Sequence, residues 1–304
     1  MYPKPFLKWV GGKTQIIEQV IKRFPSTIDN YYEPFLGGGS VLLAFLHRVQ
    51  LGEITISGKI VASDINYALI QLYKSIQTNP NELFTAVMKH REVYHSLDGN
   101  IVNRKPENID EATTSKESYY YWIRKSYNNA IKNNKYSIET SAMFLFINKT
   151  CFRGMYREGP NGFNIPYGNY KRTPAIASLD ELMRIHELIK EVDFICCSFE
   201  QILEKCHEGD FVYLDPPYVP ENSKSFVGYT KHGFNIHERL FSSIKELNNK
   251  NGWFMMSNSA VPIVITSFDD CDKYNITYIL ARRAINSKNP ASKTNEVLIQ
   301  NYGI

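Results

Sequence analysis

Little in this 304-residue sequence is extreme, and each thing it lacks removes a class of explanation. No stretch approaches the roughly 18 apolar residues of a membrane span. The start, Met1-Tyr2-Pro3-Lys4-Pro5, lacks the apolar run of a secretory signal. The five cysteines, Cys151, Cys196, Cys197, Cys206 and Cys271, are odd in number and have no metal-ligand spacing. They read as reduced, mostly buried thiols of a cytoplasmic protein, one with access to the nucleus if the host is eukaryotic or viral. The histidines show no paired spacing, so neither a metal site nor a hydrolytic triad is expected. An excess of one charge is also missing: 35 Lys and Arg against 31 Asp and Glu leave +4. Any polyanionic partner must therefore be met by basic residues gathered locally. Repeats and low-complexity tracts are absent. Tyrosine is abundant, with 20 residues suited to core packing or to stacking.

The order of apolar patterns predicts an α/β core. Gln15 to Phe24 has helical spacing, Tyr31 to Leu36 is short and aromatic, Ser40 to Arg48 is helical again, and Lys59 to Asp64 is a compact strand ending on a carboxylate. Strand, glycine turn, helix and strand with a terminal acid form the dinucleotide-type unit of an open parallel sheet. The middle differs. Leu97 to Lys116 reads as loop, Tyr119 to Lys132 and Glu139 to Lys149 as helices, and Cys151 to Arg172 as hairpins and ordered loops. Ser178-Leu179-Asp180-Glu181 is a capping box opening a helix through Lys190. Val192 to Cys197, Asp210 to Leu214 and Gly252 to Ser257 follow as buried strands, with Ile276 to Ala281 and Glu296 to Tyr302 as a closing pair. The expected fold is a Rossmann-like, mostly parallel α/β sheet with a closing antiparallel strand pair. Its core covers residues 1–72 and 183–304, interrupted by a mainly helical insertion at 73–182.

Two places carry chemistry. In Glu33-Pro34-Phe35-Leu36-Gly37-Gly38-Gly39-Ser40, glycines Gly37 and Gly39 allow positive φ and close approach of a ligand to the backbone. A carboxylate can use amides at the following helix start, Phe35 can face a cation, and Asp64 is placed for ribose hydroxyls. Three glycines alone also suit a plain turn, and it is the pairing with Asp64 that favours a nucleotide. Gly11-Gly12-Lys13-Thr14 ends like a phosphate-binding loop, but Leu7 stands where that motif needs its first glycine.

The second place is Asp215-Pro216-Pro217-Tyr218, directly after the strand Asp210 to Leu214. Two prolines fix two φ angles and push the residues before them towards extended geometry. The Asp215 carboxylate and the Pro216 carbonyl are two rigid acceptors, suited to the two hydrogens of a planar amino group. Tyr218 offers a face on which an extruded base can stack.

Together these segments resemble the Dam-type family of DNA adenine methyltransferases. The resemblance runs in order through Phe6-Leu7-Lys8-Trp9-Val10-Gly11-Gly12-Lys13, the glycine turn, Ala62-Ser63-Asp64-Ile65-Asn66, Asn148 to Arg157, Phe163 to Gly168, and Asp215-Pro216-Pro217-Tyr218. It implies S-adenosylmethionine as methyl donor, touched by Trp9, Lys13, Asp64 and Asp215, with no metal. The insertion would then be a target-recognition domain for double-stranded DNA, with contacts at Arg153, Met155, Tyr156, Arg157, Asn164 and Lys171. Arg153, Arg157, Lys171 and Arg172, with Tyr156 and Tyr170 among them, suit guanine reading and base wedging or, equally, phosphate contacts. Family members that recognise GATC typically carry Asn where Arg153 stands, so the resemblance does not bring that target with it. The basic stretch Arg282 to Lys288 reads either as a second DNA-facing loop or as plain exposed surface. The resemblance further implies a monomer or weak dimer, and a restriction endonuclease as a functional but not physical counterpart. Methylation of cytosine N4, an amide or an RNA base, and a DNA-binding protein on an inactive methyltransferase fold, are the competing readings.

Overall fold

The computed structural model describes residues 2–220, 235–282 and 293–303. The chain forms two compact units: Met1–Tyr2, Lys13–Ile65 and Glu191–Ile304 make the first, and Pro3–Gly12 with Asn66–Lys190 the second.

Among the described residues the main sheet of the first unit has seven strands: β1 Tyr31–Glu33, β2 Ile60–Asp64, β3 Val192–Cys196, β4 Phe211–Leu214, β5 Trp253–Ser259, β6 Asn275–Arg282 and β7 Lys293–Gln300. Their order across the sheet is β6-β7-β5-β4-β1-β2-β3. β1 is parallel to both β2 and β4, β2 to β3, and β4 to β5. β7 runs antiparallel between β5 and β6. This is the expected open α/β sheet. Its order reverses between β1 and β4, so a crevice opens beyond their carboxyl ends, where such sheets bind ligands.

The central strands read as continuous apolar runs because both faces are covered. On one face Tyr31 stacks on Phe45 of the helix Ser40–Gln50 at 3.9 Å, and Phe24 meets the edge of Phe211 at 4.6 Å. On the other, Val212, Leu214, Phe254 and Met256 pack with Leu240, Ile244 and Leu247 of the helix Asn235–Asn249. Truncating one of these buried aromatics to alanine costs about 3–5 kcal/mol. The helix expected over Gln15 to Phe24 is shorter, Ile17–Ile21. Pro25 disfavours helical geometry at Phe24, and Ile16 offers no side-chain cap.

The second unit is helical. Helices Tyr67–Thr78 and Pro80–Ser96, which the sequence pattern did not resolve individually within the mainly helical stretch expected from residue 73, are separated at Asn79-Pro80, and Asn66 caps the first by accepting from Leu69 N. Lys116–Lys132 and Ile138–Thr150 follow, and the latter is buried from Thr140 to Thr150, as a central helix must be. The capping box forms as expected, with Ser178 and Glu181 opening Leu179–Ile189. Tyr73, Tyr94, Tyr120 and Tyr127 are fully buried here, so much of the tyrosine excess is core. No helix among the described residues is long and apolar enough to cross a membrane.

Candidate active site

β4 is buried as far as Leu214 and delivers Asp215 at its carboxyl end. The loop that follows is tied on both sides. Val219 N donates to Asn258 Oδ1 at 3.1 Å, and Val219 O accepts from Ser259 Oγ at 2.6 Å. The Tyr218 hydroxyl donates to Glu296 Oε2 at 2.9 Å. Asn258 and Ser259 end β5, and Glu296 on β7 stands opposite Ser259 in the register. Prolines stiffen the loop from within, and two strands fix it from outside.

Lys13 reaches Asp215 from the amino-terminal part of the unit. Its backbone N donates to Ser40 Oγ at 3.0 Å, and its Nζ lies 2.6 Å from each Asp215 carboxylate oxygen. The same ammonium lies 4.9 Å from the centre of the Tyr218 ring. Lys13 is only 3% exposed. Burial raises the Asp215 pKa, and the Lys13 charge opposes that shift. Burial, then the charges of Asp215 and Glu296, hold the Tyr218 phenol protonated. Asp215 and the Tyr218 ring thus hold the Lys13 nitrogen cation between a carboxylate and an aromatic face.

Glu33 ends β1 on the same side. It is 2% exposed and accepts a 2.6 Å hydrogen bond from the Tyr31 hydroxyl. Burial pushes its carboxyl up to about 8, helped by Asp215 and opposed by the Tyr31 bond and Lys13. Glu33 is therefore largely a neutral acid at pH 7.

Gly37 and Gly39 take φ of 48° and 66°, and Gly39 caps the helix Ser40–Gln50 without a side chain. Asp64 Oδ2 accepts from Gly37 N at 3.1 Å, and Leu36 N donates to Ser63 O at 3.0 Å, joining the glycine turn to the end of β2. Phe35 stacks on Phe199 at 5.5 Å, and Ile65, just past the acid, is 64% exposed. A carboxylate, a helix start and apolar surface fit S-adenosylmethionine by its ribose, amino acid and adenine parts. Among the described residues no group of three or more His, Cys, Asp or Glu is placed to hold a metal.

The remaining expected residues lie in the second unit. Trp9 stacks on Tyr156 at 5.2 Å, and Lys8 exchanges backbone hydrogen bonds of 3.0 and 2.8 Å with the Asn148 side chain. Gly154 allows this approach, since a Cβ there would stand 2.3 Å from Lys8 Cβ. Arg153 is exposed, with φ 56° and its guanidinium over the Phe152 ring. Arg157 Nε donates to Asn164 Oδ1 at 2.7 Å, and the Tyr156 hydroxyl donates to Glu158. Met155 is half-buried, while Lys171 and Arg172 are exposed. Sequence reasoning included Phe152, which is 43% exposed, in the Asn148 to Arg157 motif but gave it no contact of its own. An aromatic beside an arginine in a polar loop was the available signal. Sequence reasoning passed over Asn258, Ser259 and Glu296, whose types are unremarkable for strand ends. The stretch Arg282 to Lys288 lies outside the described residues, apart from the Arg282 backbone at the end of β6.

The chain is 35% identical to the type II methyltransferase M.MjaIII of Methanocaldococcus jannaschii, over 99% of this chain and 100% of that one. It is 30% identical to the type II methyltransferase M1.LlaDCHI of Lactococcus lactis subsp. cremoris, over 99% and 96% of the two chains. To a DNA adenine methylase of Haemophilus influenzae it is 30% identical, over 78% and 71%. Residues 9–285 match a single family along the length that carries both the glycine turn and the Asp215 loop, and the chain belongs to the D12 class of N6 adenine-specific DNA methyltransferases.

Proposed function

We propose that the chain methylates N6 of adenine at a specific duplex sequence, on a base turned out of the stack into the Asp215 crevice. The observation that carries the reading is the Asp215–Tyr218 pair, which already binds a nitrogen cation, that of Lys13, between a carboxylate and an aromatic face. Bound S-adenosylmethionine supplies a methyl group on a sulfonium, whose positive charge passes to the acceptor nitrogen as the methyl moves. Asp215 and the Pro216 carbonyl accept from the amino group and draw its nitrogen towards tetrahedral geometry. They also stabilise the charge that develops there. The proton leaves after methyl transfer, so Asp215 need not act as a base beforehand. Lys13 must give up its place on Asp215 for the amino group to bind. Gly37, Gly39, Phe35 and Asp64 hold the donor, and the resemblance adds Trp9 and Lys13 to that set. The type II names of two relatives support a role as the modification partner of a restriction endonuclease.

Nucleoside analysis of plasmid DNA from cells expressing the chain tests the reading, with N6-methyladenine expected. N4-methylcytosine as the product would overturn it. Mapping the modified adenines gives the target site.

Arg153, Met155, Tyr156, Arg157, Asn164 and Lys171 form the recognition surface, and Phe152 joins them as an exposed wedge. Phe152→Ala is expected to weaken duplex binding roughly tenfold, the loss of one stacking contact of about 1–3 kcal/mol. Arg157→Ala is expected to relax sequence preference, whereas Arg172→Ala weakens binding to all sequences alike. Competition binding with matched and mismatched duplexes separates the two. Equal loss of preference in both variants would refute the assignment.

A further inference from the structure

We propose that Glu296 is a positioning residue for methyl transfer, acting through Tyr218: its carboxylate fixes the phenol and deepens the negative face of the ring. The proposal rests on the adenine-methylation reading and assigns a residue that reading does not use.

The Tyr218 side chain is held at both ends. Its backbone runs into Val219, which Asn258 and Ser259 hold, and its hydroxyl donates to Glu296 at 2.9 Å. Glu296 reaches the phenol from β7, opposite Ser259, so both supports stand on one pair of strands. The ring between them faces a cation, the Lys13 ammonium at 4.9 Å. A phenol donating to a carboxylate shares its proton and sends electron density into the ring, which strengthens attraction for a cation on its face.

Adenine enters with a neutral amino group. The N–C bond forms as the S–C bond breaks, the sulfur regains its electron pair, and the nitrogen carries the positive charge until its proton passes to water. A ring face made more negative therefore acts more strongly on the transition state than on the bound ground state. Such an interaction raises kcat and leaves binding of either substrate nearly untouched. Glu296 touches neither the base nor the donor in this account.

The test compares the wild type with Glu296→Gln, Tyr218→Phe and the double variant, using a duplex that carries the mapped site. The readouts are kcat by N6-methyladenine formation, KM for both substrates, S-adenosylmethionine affinity by equilibrium dialysis, and Tm. Gln keeps an acceptor for the phenol but removes the charge, and Phe keeps the ring but removes the hydroxyl. Each single variant is expected to lose about tenfold in kcat, the size of a charge-assisted hydrogen bond, with KM, donor affinity and Tm unchanged. The double variant is expected to be no slower than Tyr218→Phe. Wild-type kcat in Glu296→Gln overturns the proposal, as do losses that multiply in the double variant. A fall in kcat that comes with raised KM and lowered Tm assigns Glu296 a merely structural role, and also overturns it. If Glu296→Gln does not fold, Tyr218→Phe decides alone, because an unchanged kcat there leaves the carboxylate nothing to act through. Failure of the adenine reading shows separately, as absence of N6-methyladenine from the wild type.

Discussion

Asp215→Ala is expected to reduce methyl transfer to about a thousandth of the wild-type rate or less, with duplex binding kept within a few-fold. Loss of one fixed group that stabilises developing charge typically costs 10²–10³ in rate, and in the proposed mechanism that group also sets the nitrogen's geometry. The residues proposed for recognition belong to the other compact unit, so binding is expected to have its own determinants. The substitution has a second consequence, because the Lys13 side chain is 4% exposed and loses its ion-pair partner. An uncompensated buried charge costs on the order of 3–5 kcal/mol, so the variant should melt well below the wild type. Lys13→Met in the Asp215→Ala background is expected to restore much of that stability while leaving activity absent. Methyl transfer by filter assay, gel-shift binding and Tm on the three proteins check the scheme. Substantial turnover by Asp215→Ala would remove Asp215 from the mechanism.

Glu33→Gln is expected to flatten the dependence of stability on pH. Glu33 has an ordinary value of 4.5 in the unfolded chain and about 8 in the folded one. Between those values the folded state holds a proton that the unfolded chain has released. The contribution is complete below about pH 4.5, declines as pH rises by up to roughly 1.4 kcal/mol per unit, and is gone above the folded value. The integrated effect is on the order of a few kcal/mol. Gln cannot ionise, and its amide oxygen still accepts from Tyr31. Denaturant midpoints from pH 5 to 9 should therefore fall steeply for the wild type and little for the variant, and above pH 8 the variant should be the more stable of the two. Equal slopes would show that another group carries the titration.

The sheet was legible because its central strands are uninterrupted apolar runs with a turn or an acid at each end. Ile60–Asp64 and Phe211–Leu214 needed no further information. Asp215-Pro216-Pro217-Tyr218 and the glycine turn were legible because rigid loops and positive φ need particular residue types. Tyr67–Thr78 and Pro80–Ser96 were not, since their apolar positions mix with polar ones and Asn79-Pro80 interrupts the periodicity. Glu33 read only as part of a motif, because a sequence does not show that a carboxylate will be buried against the phenol hydroxyl of Tyr31. Glu296 was silent for a related reason. The role proposed for it comes from register, which places it opposite Ser259 and within reach of a residue 78 positions earlier. The link between Lys13 and Asp215, 202 positions apart, is likewise a product of topology.

β7 enters the sheet between β5 and β6, although it is made after both. On the ribosome, β6 is complete before the strand it must pair with exists, and among the described residues it has no other sheet neighbour. The tie from β7 back to β5, in which Glu296 stands opposite Ser259, likewise waits for β7. The same late strand carries Glu296, so closure of the sheet and seating of the Tyr218 phenol are one event. A nascent chain can therefore hold Asp215-Pro216-Pro217-Tyr218 and its glycine turn before the Tyr218 hydroxyl has its partner on β7.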